Sequence, residues 1–100
     1  MHSKWIDHNG KKIYFQDFSS MFYDTEAIKQ ELVLVQAEVV LHPKNSLLVL
    51  ADFRDTNITT ELMPIMNASS TMTKDYVKKT AVLGVTGIKR TLAGLLFSLD

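Results

Sequence analysis

The sequence Leu47-Leu48-Val49-Leu50-Ala51-Asp52 sets the architecture that we expect for this chain: five apolar residues in a row, closed by an aspartate. An apolar run without alternation is typical of a strand that is buried on both faces, at the centre of a parallel sheet. A second apolar run, Ala81 to Val85, follows later in the chain. Segments with helical periodicity separate these runs, and strands that alternate with helices predict a mostly parallel sheet.

The segment from Thr25 to Leu41 has the period of an α-helix. Asp24 or Thr25 can cap its start, and His42-Pro43 ends it, because the residue before a proline avoids the helical region. The many β-branched residues would also suit a strand, but the length of the segment favours a helix. Its apolar face has the spacing i, i+4, i+7 and i+11: Ile28, Leu32, Val35 and Val39.

A second apolar stripe lies on the opposite side of the same helix. A helix that is apolar on both sides is usually covered on both sides. We therefore predict that this stripe is buried by a second copy of the chain, as a homodimer, or by a partner protein. The residues of this predicted interface are Val33, Leu34, Ala37, Val40 and Leu41.

The N-terminal region reads as a β-hairpin. A short strand ends at Asp7, Asn9-Gly10 is a strong two-residue turn signal, and Lys12 to Asp17 alternates as a second strand.

Two further helices complete the predicted order β-β-α-β-α-β-α. The second helix starts near Glu61, so that Pro64 falls in its first turn, where amides lack partners. Its predicted inner residues are Leu62, Ile65, Met66 and Ser69, and those of the last helix are Ile88, Leu92, Leu95 and Leu99.

The composition excludes several functional classes. The chain has 100 residues, 46% of them hydrophobic, which fits a single domain, residues 1–100. Its 11 basic and 11 acidic side chains balance, so no overall charge recruits nucleic acid or an anionic membrane. It has no cysteine, no signal-peptide core and no apolar stretch long enough to span a bilayer. We expect a soluble, cytoplasmic protein.

Three stretches resemble a known family. The block from Tyr76 to Arg90, the opening Asn9 to Tyr14, and the central strand with its exit, Leu48 to Arg54, resemble small bacterial STAS/SEC14-domain proteins of unknown function. The resemblance covers most of the chain. It implies a SpoIIAA-like (STAS-like) fold with an antiparallel N-terminal hairpin edge. It also implies a binding or regulatory role without a known reaction.

One motif of the wider family is missing. Its anti-sigma-factor antagonists carry Asp-Ser-Ser-Gly at the helix start after the central strand. Here the nearest match is Asp55-Thr56-Asn57, without the Ser-Gly pair. This difference weakens the case for a phosphorylation switch at Thr56.

The loop after the central strand is the first candidate site. Open α/β sheets bind ligands at the carboxyl ends of their strands, where this loop lies. The alternative is structural: Asp55 or Thr56 caps the second helix, and Arg54 pairs with a neighbouring carboxylate. The predicted ligand or partner residues are Asp52, Arg54, Asp55 and Thr56.

The turn after the last strand is the second candidate site. Backbone amides, a helix N-terminus and two cations would attract a small anionic or lipid-like ligand. The alternative is that the glycines only permit a tight turn and close packing. The residues of this predicted anion-binding turn are Gly84, Thr86, Gly87, Lys89 and Arg90.

No signal favours a metal, a cofactor or catalysis. His2, His8 and His42 lack the spacing of a metal pair, and no nucleophile motif is present. A carboxylate base, Asp52 or Asp55, is the minority alternative. The basic residues near the C-terminus lack interleaved aromatic residues, which favours a solvated face or an acidic protein partner over nucleic acid: Lys74, Lys78, Lys79, Lys89 and Arg90.

Overall fold

The Asn9-Gly10 pair forms a tight turn between two antiparallel strands, β1 (Lys4–His8) and β2 (Lys11–Asp17). The fold is that of a computed structural model, which describes residues 2–84. Both turn residues have positive φ, 51° and 76°, the combination that two-residue hairpins of type I′ require. The predicted hairpin is confirmed.

Two parallel strands extend the sheet from β2. Strand β3 (Leu47–Asp52) pairs with β2 and strand β4 (Val77–Leu83) pairs with β3, giving the order β1-β2-β3-β4. Helix α1 (Thr25–Val39) connects β2 to β3, and helix α2 (Met63–Thr73) connects β3 to β4. The predicted α/β class, with a mostly parallel sheet and an antiparallel N-terminal edge, is confirmed over this part of the chain.

Helix α1 begins where its cap residue predicts. The Asp24 side chain accepts a hydrogen bond from the Ala27 amide at 3.0 Å, satisfying one of the free donors of the first turn. All four residues of the predicted inner face are buried, so the helical interpretation of this β-branched segment is confirmed.

Both helices lie on the same face of the sheet. Tyr14, Val49 and Ala51 are buried there against the inner faces of α1 and α2. The alternate strand residues, among them Phe15 and Leu50, are only partly buried. The expectation that β3 is buried on both faces therefore holds for one face only within the described residues.

Helix α2 starts two residues later than predicted, and its buried stripe is narrower. Pro64 lies in the first turn, as expected, while Ile65 is partly exposed. At about 100° per residue, Leu62, Met66 and Ser69 project within about 60° of one another, whereas Ile65 falls outside that arc. The prediction that Ile65 belongs to the inner face is wrong for this geometric reason.

Strand β4 starts at Val77, four residues before the predicted apolar run, directly after a 3-10 turn at Lys74–Tyr76. A bulge explains the difference. Leu47 pairs with Val77 but Leu48 pairs with Lys79, so Lys78 has no partner in the register. The last predicted helix and Val85 lie outside the described residues. Neither helix within residues 2–84 is long and apolar enough to cross a membrane.

Candidate functional site

The loops that leave β2 and β3 run side by side at the carboxyl end of the sheet. We call residues 18–24 and 53–57 the exit loops. Three backbone hydrogen bonds of 2.7 to 2.9 Å join them: Ser20 N to Arg54 O, Phe22 N to Asp55 O, and Asn57 N to Phe22 O. A fourth, Phe18 N to Asp52 O at 2.9 Å, joins the first loop to the last residue of β3. The first predicted site therefore lies on a hydrogen-bonded platform.

Asp52 and Arg54 form a two-pronged ion pair at the base of this platform. The guanidinium donates to both carboxylate oxygens at 3.0 and 2.8 Å, and the Arg54 amide donates at 3.0 Å. The hydrogen bonds from Arg54 hold the pKa of Asp52 below its usual value. The Asp52 side chain is buried while that of Arg54 is 64% exposed, so the pair presents a cation to solvent.

Thr56 joins the two exit loops from inside. Its hydroxyl donates to the carbonyl of Phe18 and accepts from the amide of Met21, and the residue has no exposed surface. Helix α2 begins seven residues further along the chain, so the alternative in which Asp55 or Thr56 caps it is wrong. The hydroxyl is closed to a modifying enzyme in this fold.

Two aromatic residues that the sequence analysis did not single out stand on the first exit loop. Phe22 and Tyr23 are 59% and 74% exposed. The φ of Phe22 is 49°, in the left-handed region, where a bulky residue is uncommon. Two adjacent aromatic residues in the short segment between β2 and α1 were the signal available in the sequence.

The second predicted site is described only at its first residue. Gly84 has a φ of 76° and contacts the backbone of Arg54. This contact agrees with the alternative of a tight turn and close packing. The other four residues of the predicted anion-binding turn lie outside the described residues.

The predicted interface on α1 is exposed. Val33 and Leu41 are 63% and 76% exposed, and Leu34 and Val40 are 42% and 38% exposed. Ala37 lies between them and is also exposed. Helix α1 ends at Val39, two residues before the predicted end, so Val40 is its C-cap and Leu41 lies just beyond it. We call these five residues the outer face of α1. No element within residues 2–84 covers it.

Glu31, on the side of α1 that meets the N-terminus, is a buried carboxylate. Burial opposes its ionisation, but hydrogen bonds from the Ser3 hydroxyl and from the amides of His2 and Ser3 outweigh that effect and lower its pKa. The Ser3 hydroxyl in turn accepts from the Asp17 amide at 3.0 Å. This cluster ties the N-terminus and β2 to α1, which is a structural role.

A cavity of about 50 Å³ lies between the sheet and the two helices. The sequence analysis missed it. Apolar and polar side chains both line it, and three of the polar ones belong to buried residues: Gln16 from β2, Ser69 from α2 and Thr80 from β4. The sequence signal for this cavity was a glutamine and a threonine at inward-facing positions of strands that are otherwise apolar on that side.

Within residues 2–84, no group of three or more histidine or acidic side chains is placed to hold a metal ion. Lys74, Lys78 and Lys79 are exposed, whereas Lys89 and Arg90 lie beyond the described residues. Comparison of the chain with protein-family models, with curated proteins and with solved structures finds no match.

Proposed function

We propose that this chain is a non-catalytic protein-interaction domain of STAS-like type that pairs with a second copy through the outer face of α1. The observation that carries the proposal is the set of four large apolar side chains exposed together on α1 and on the two residues that directly follow it. Scattered exposed apolar residues need no explanation, but a contiguous stripe marks an interaction surface.

The shape of the outer face favours a second copy of the same chain. At about 100° per residue, Val33, Leu34, Ala37 and Val40 project within an arc of about 120°, with Ala37 near its centre. A small residue at the centre lets two helices approach closely. A two-fold axis there makes the surface self-complementary, as dimer interfaces with two-fold symmetry require.

Charges at the two ends of the outer face fit an antiparallel pair. Glu26 lies two turns before Val33 on the same side, and its side chain is 75% exposed. Lys44, just after the helix, is also exposed. Lys29 already pairs with Glu26 at 3.7 Å, so in an antiparallel arrangement the approach of Glu26 to Lys44 of the other copy favours this orientation only weakly.

The exit loops supply a second surface, for a regulatory partner. Phe22, Tyr23 and Arg54 are exposed close to one another on the hydrogen-bonded platform, and aromatic residues and arginine are enriched among the residues that dominate binding energies. In this proposal the Asp52 carboxylate positions Arg54. Held ionised by the guanidinium, it is a weak proton acceptor, which argues against the alternative of a carboxylate base.

The STAS-like assignment rests on the order β-β-α-β-α-β, on the antiparallel hairpin edge and on the three resembling stretches. A regulatory role is the function that this assignment implies. The missing Asp-Ser-Ser-Gly motif and the buried Thr56 hydroxyl favour control by binding over control by phosphorylation.

Sedimentation equilibrium tests the pairing. The wild type should give twice the 11.3 kDa of one chain. Val33→Asp and Val40→Asp should each raise the dimer dissociation constant at least about tenfold, because a desolvated charge opposes association. Met72→Asp is the matched control. Met72 is 56% exposed on α2, outside the outer face of α1, so its replacement should leave the dimer dissociation constant unchanged. A monomer at all concentrations, or a dimer that both variants leave intact, contradicts the proposal.

A further inference from the structure

The face of the sheet opposite the two helices is apolar, and no element within residues 2–84 covers it. Paired residues of neighbouring strands project to the same side of a sheet, so the registers of the four strands show which side chains share this face. Five of its apolar residues are partly buried and one is exposed. We call these six residues the open face of the sheet: Ile6, Ile13, Phe15, Leu48, Leu50 and Ala81.

An apolar face on parallel strands is normally covered. Strands β2, β3 and β4 are parallel, and parallel strands in proteins are usually buried on both faces. Leu83, one row beyond the open face on β4, is 38% exposed and extends the apolar surface. A contiguous apolar surface of this kind marks a binding site, whereas scattered apolar residues do not.

Lysines stand at the edges of the open face. The row of side chains through Ile13 ends at Lys79 on β4, and the row through Phe15 begins at Lys4 on β1. Lys11, two residues before Ile13 on the same side of β2, adds a third cation. All three lysines are exposed. The apolar centre is therefore flanked by positive charge at both edge strands.

The acidic side chains on this side of the described strands lie at its carboxyl end. They belong to Asp17 and Asp52, which are paired in the register. Arg54 neutralises Asp52, and its own side chain is 64% exposed. The rim of the open face thus has more positive than negative charge, which complements a partner with acidic flanks.

The dimensions of the open face suit a helix. Strand β2, with seven residues, spans about 23 Å, the length of a helix of about 15 residues. Helices cover apolar faces of sheets in α/β proteins, as α1 and α2 do on the other side.

We propose that the open face of the sheet binds an amphipathic helix of another protein, one whose apolar stripe is flanked by acidic side chains. A second copy of this chain would bring the same excess of cations to the contact, and like charges oppose association. The remaining residues of the chain, 85–100, also carry more cations than acids: Lys89 and Arg90 against Asp100. The surface is separate from the outer face of α1.

The probe is a designed helical peptide of about 15 residues, with leucine along one stripe and glutamate on both flanks. Its twin carries lysine in place of each glutamate. Titration of the full chain, labelled at its methyl groups and followed by NMR, should give saturable shifts for Ile13, Leu48 and Leu50 with the glutamate peptide. The lysine twin should bind at least about tenfold more weakly, because its charges oppose those of the rim.

Charge-reversal variants locate the contact. Lys4→Glu and Lys79→Glu should each weaken binding of the glutamate peptide at least about threefold. Lys74→Glu is the matched control, since Lys74 is exposed at the end of α2, on the other side of the sheet. The double variant Lys4→Glu/Lys79→Glu should prefer the lysine twin, a reversal that a loss of folding cannot produce.

The free chain supplies an independent check. Before peptide is added, a neutral gadolinium chelate should relax the methyl groups of Ile13 and Leu50, but not those of Val49, which is buried on the other face. Protection of Ile13 and Leu50 would mean that residues 85–100 or a second copy already cover the open face, and it overturns the proposal. Equal affinities for the two peptides, or an unchanged preference in the double variant, also overturn it.

Discussion

Gly84, at the end of β4, contacts the backbone of Arg54 so closely that a Cβ on Gly84 would lie 2.6 Å from the Arg54 amide nitrogen and 2.7 Å from its Cα. The exit loops hold that backbone in place, because the Arg54 carbonyl accepts from Ser20 and its amide donates to Asp52. The end of β4 is thus fitted against the exit loops through a residue without a side chain.

We expect Gly84→Ala to lower the free energy of unfolding by about 3 kcal/mol, combining about 1–2 kcal/mol for a side chain at positive φ with about 1–3 kcal/mol for the contact. Gly10→Ala is the matched control. Gly10 has the same φ of 76° but nothing within 4 Å of an added Cβ, so only the backbone strain applies. Urea denaturation measures both. Equal losses at the two positions would mean that the contact does not persist in solution.

Thr56 should be a major contributor to the stability of the exit loops. Thr56→Val keeps the volume but leaves the Phe18 carbonyl and the Met21 amide without a buried partner, each costing about 1–3 kcal/mol. We expect a loss of about 3 kcal/mol. Thr56→Ser keeps the hydroxyl and loses one methyl group, about 1 kcal/mol. Chemical denaturation of both variants checks this order, and equal stabilities would contradict it.

Features that depend on local pattern could be predicted from the sequence. The Asn9-Gly10 turn follows from positive-φ preference, and the inner face of α1 follows from periodicity. The second apolar stripe could be predicted in the same way, because the spacing of its residues along one segment is enough to place them on one side of a helix. The central strand could also be predicted, because its signal is a continuous apolar run within one segment.

Features that depend on contacts between distant segments could not be predicted. The start of β4 depends on a bulge opposite Leu47 and Leu48, which places three polar residues inside a strand. The role of Thr56 depends on the first exit loop, 35 residues earlier. The cavity depends on side chains from β2, β4 and both helices lining one space, and no local sequence pattern shows that they do so.

Phe22 should weaken the fold of the isolated chain. Its φ of 49° costs about 1–2 kcal/mol for a bulky side chain, and with 59% of its surface exposed it gains little by burial. Phe22→Asn, a residue that tolerates this conformation, should raise the free energy of unfolding by about 1 kcal/mol. Tyr23→Asn is the control, since Tyr23 is exposed without positive φ, and it should have little effect. Thermal denaturation of both variants tests this prediction. If Phe22→Asn lowers the stability, the Phe22 ring packs against the protein in solution and the prediction is wrong.

Glu31 should make the stability of the fold sensitive to acid. Because its folded-state pKa lies below the usual 4.5, the ionised carboxylate stabilises the fold above about pH 4.5, and this contribution is lost as the pH falls through the folded-state pKa. Glu31→Gln should cost about 2 kcal/mol at neutral pH and flatten the decline in acid. Chemical denaturation of both proteins at a series of pH values from 7 to about 3 measures how steeply the free energy of unfolding falls with pH. Parallel slopes for the two proteins would contradict the assignment.

Trp5 of β1 makes two separable contacts, one with Tyr14 of β2 and one with Glu38 near the end of α1. Its ring stacks on Tyr14 with centroids 5.0 Å apart, and its indole nitrogen donates to Glu38 at 3.1 Å. Trp5→Phe keeps an aromatic ring but removes the donor, and Glu38→Met keeps the length of the side chain but removes the oxygen acceptor, so a double-mutant cycle of the two isolates the hydrogen bond.

We expect a coupling energy of about 0.5–1 kcal/mol from that cycle, because both side chains are partly exposed and water competes for each. Trp5→Leu should cost about 1 kcal/mol more than Trp5→Phe through loss of the aromatic pair. Trp5 is the only tryptophan, so circular dichroism must follow the unfolding of all variants. A coupling energy near zero, with the stacking difference intact, would mean that the contact with Tyr14 of β2 stabilises the fold while the hydrogen bond to α1 does not.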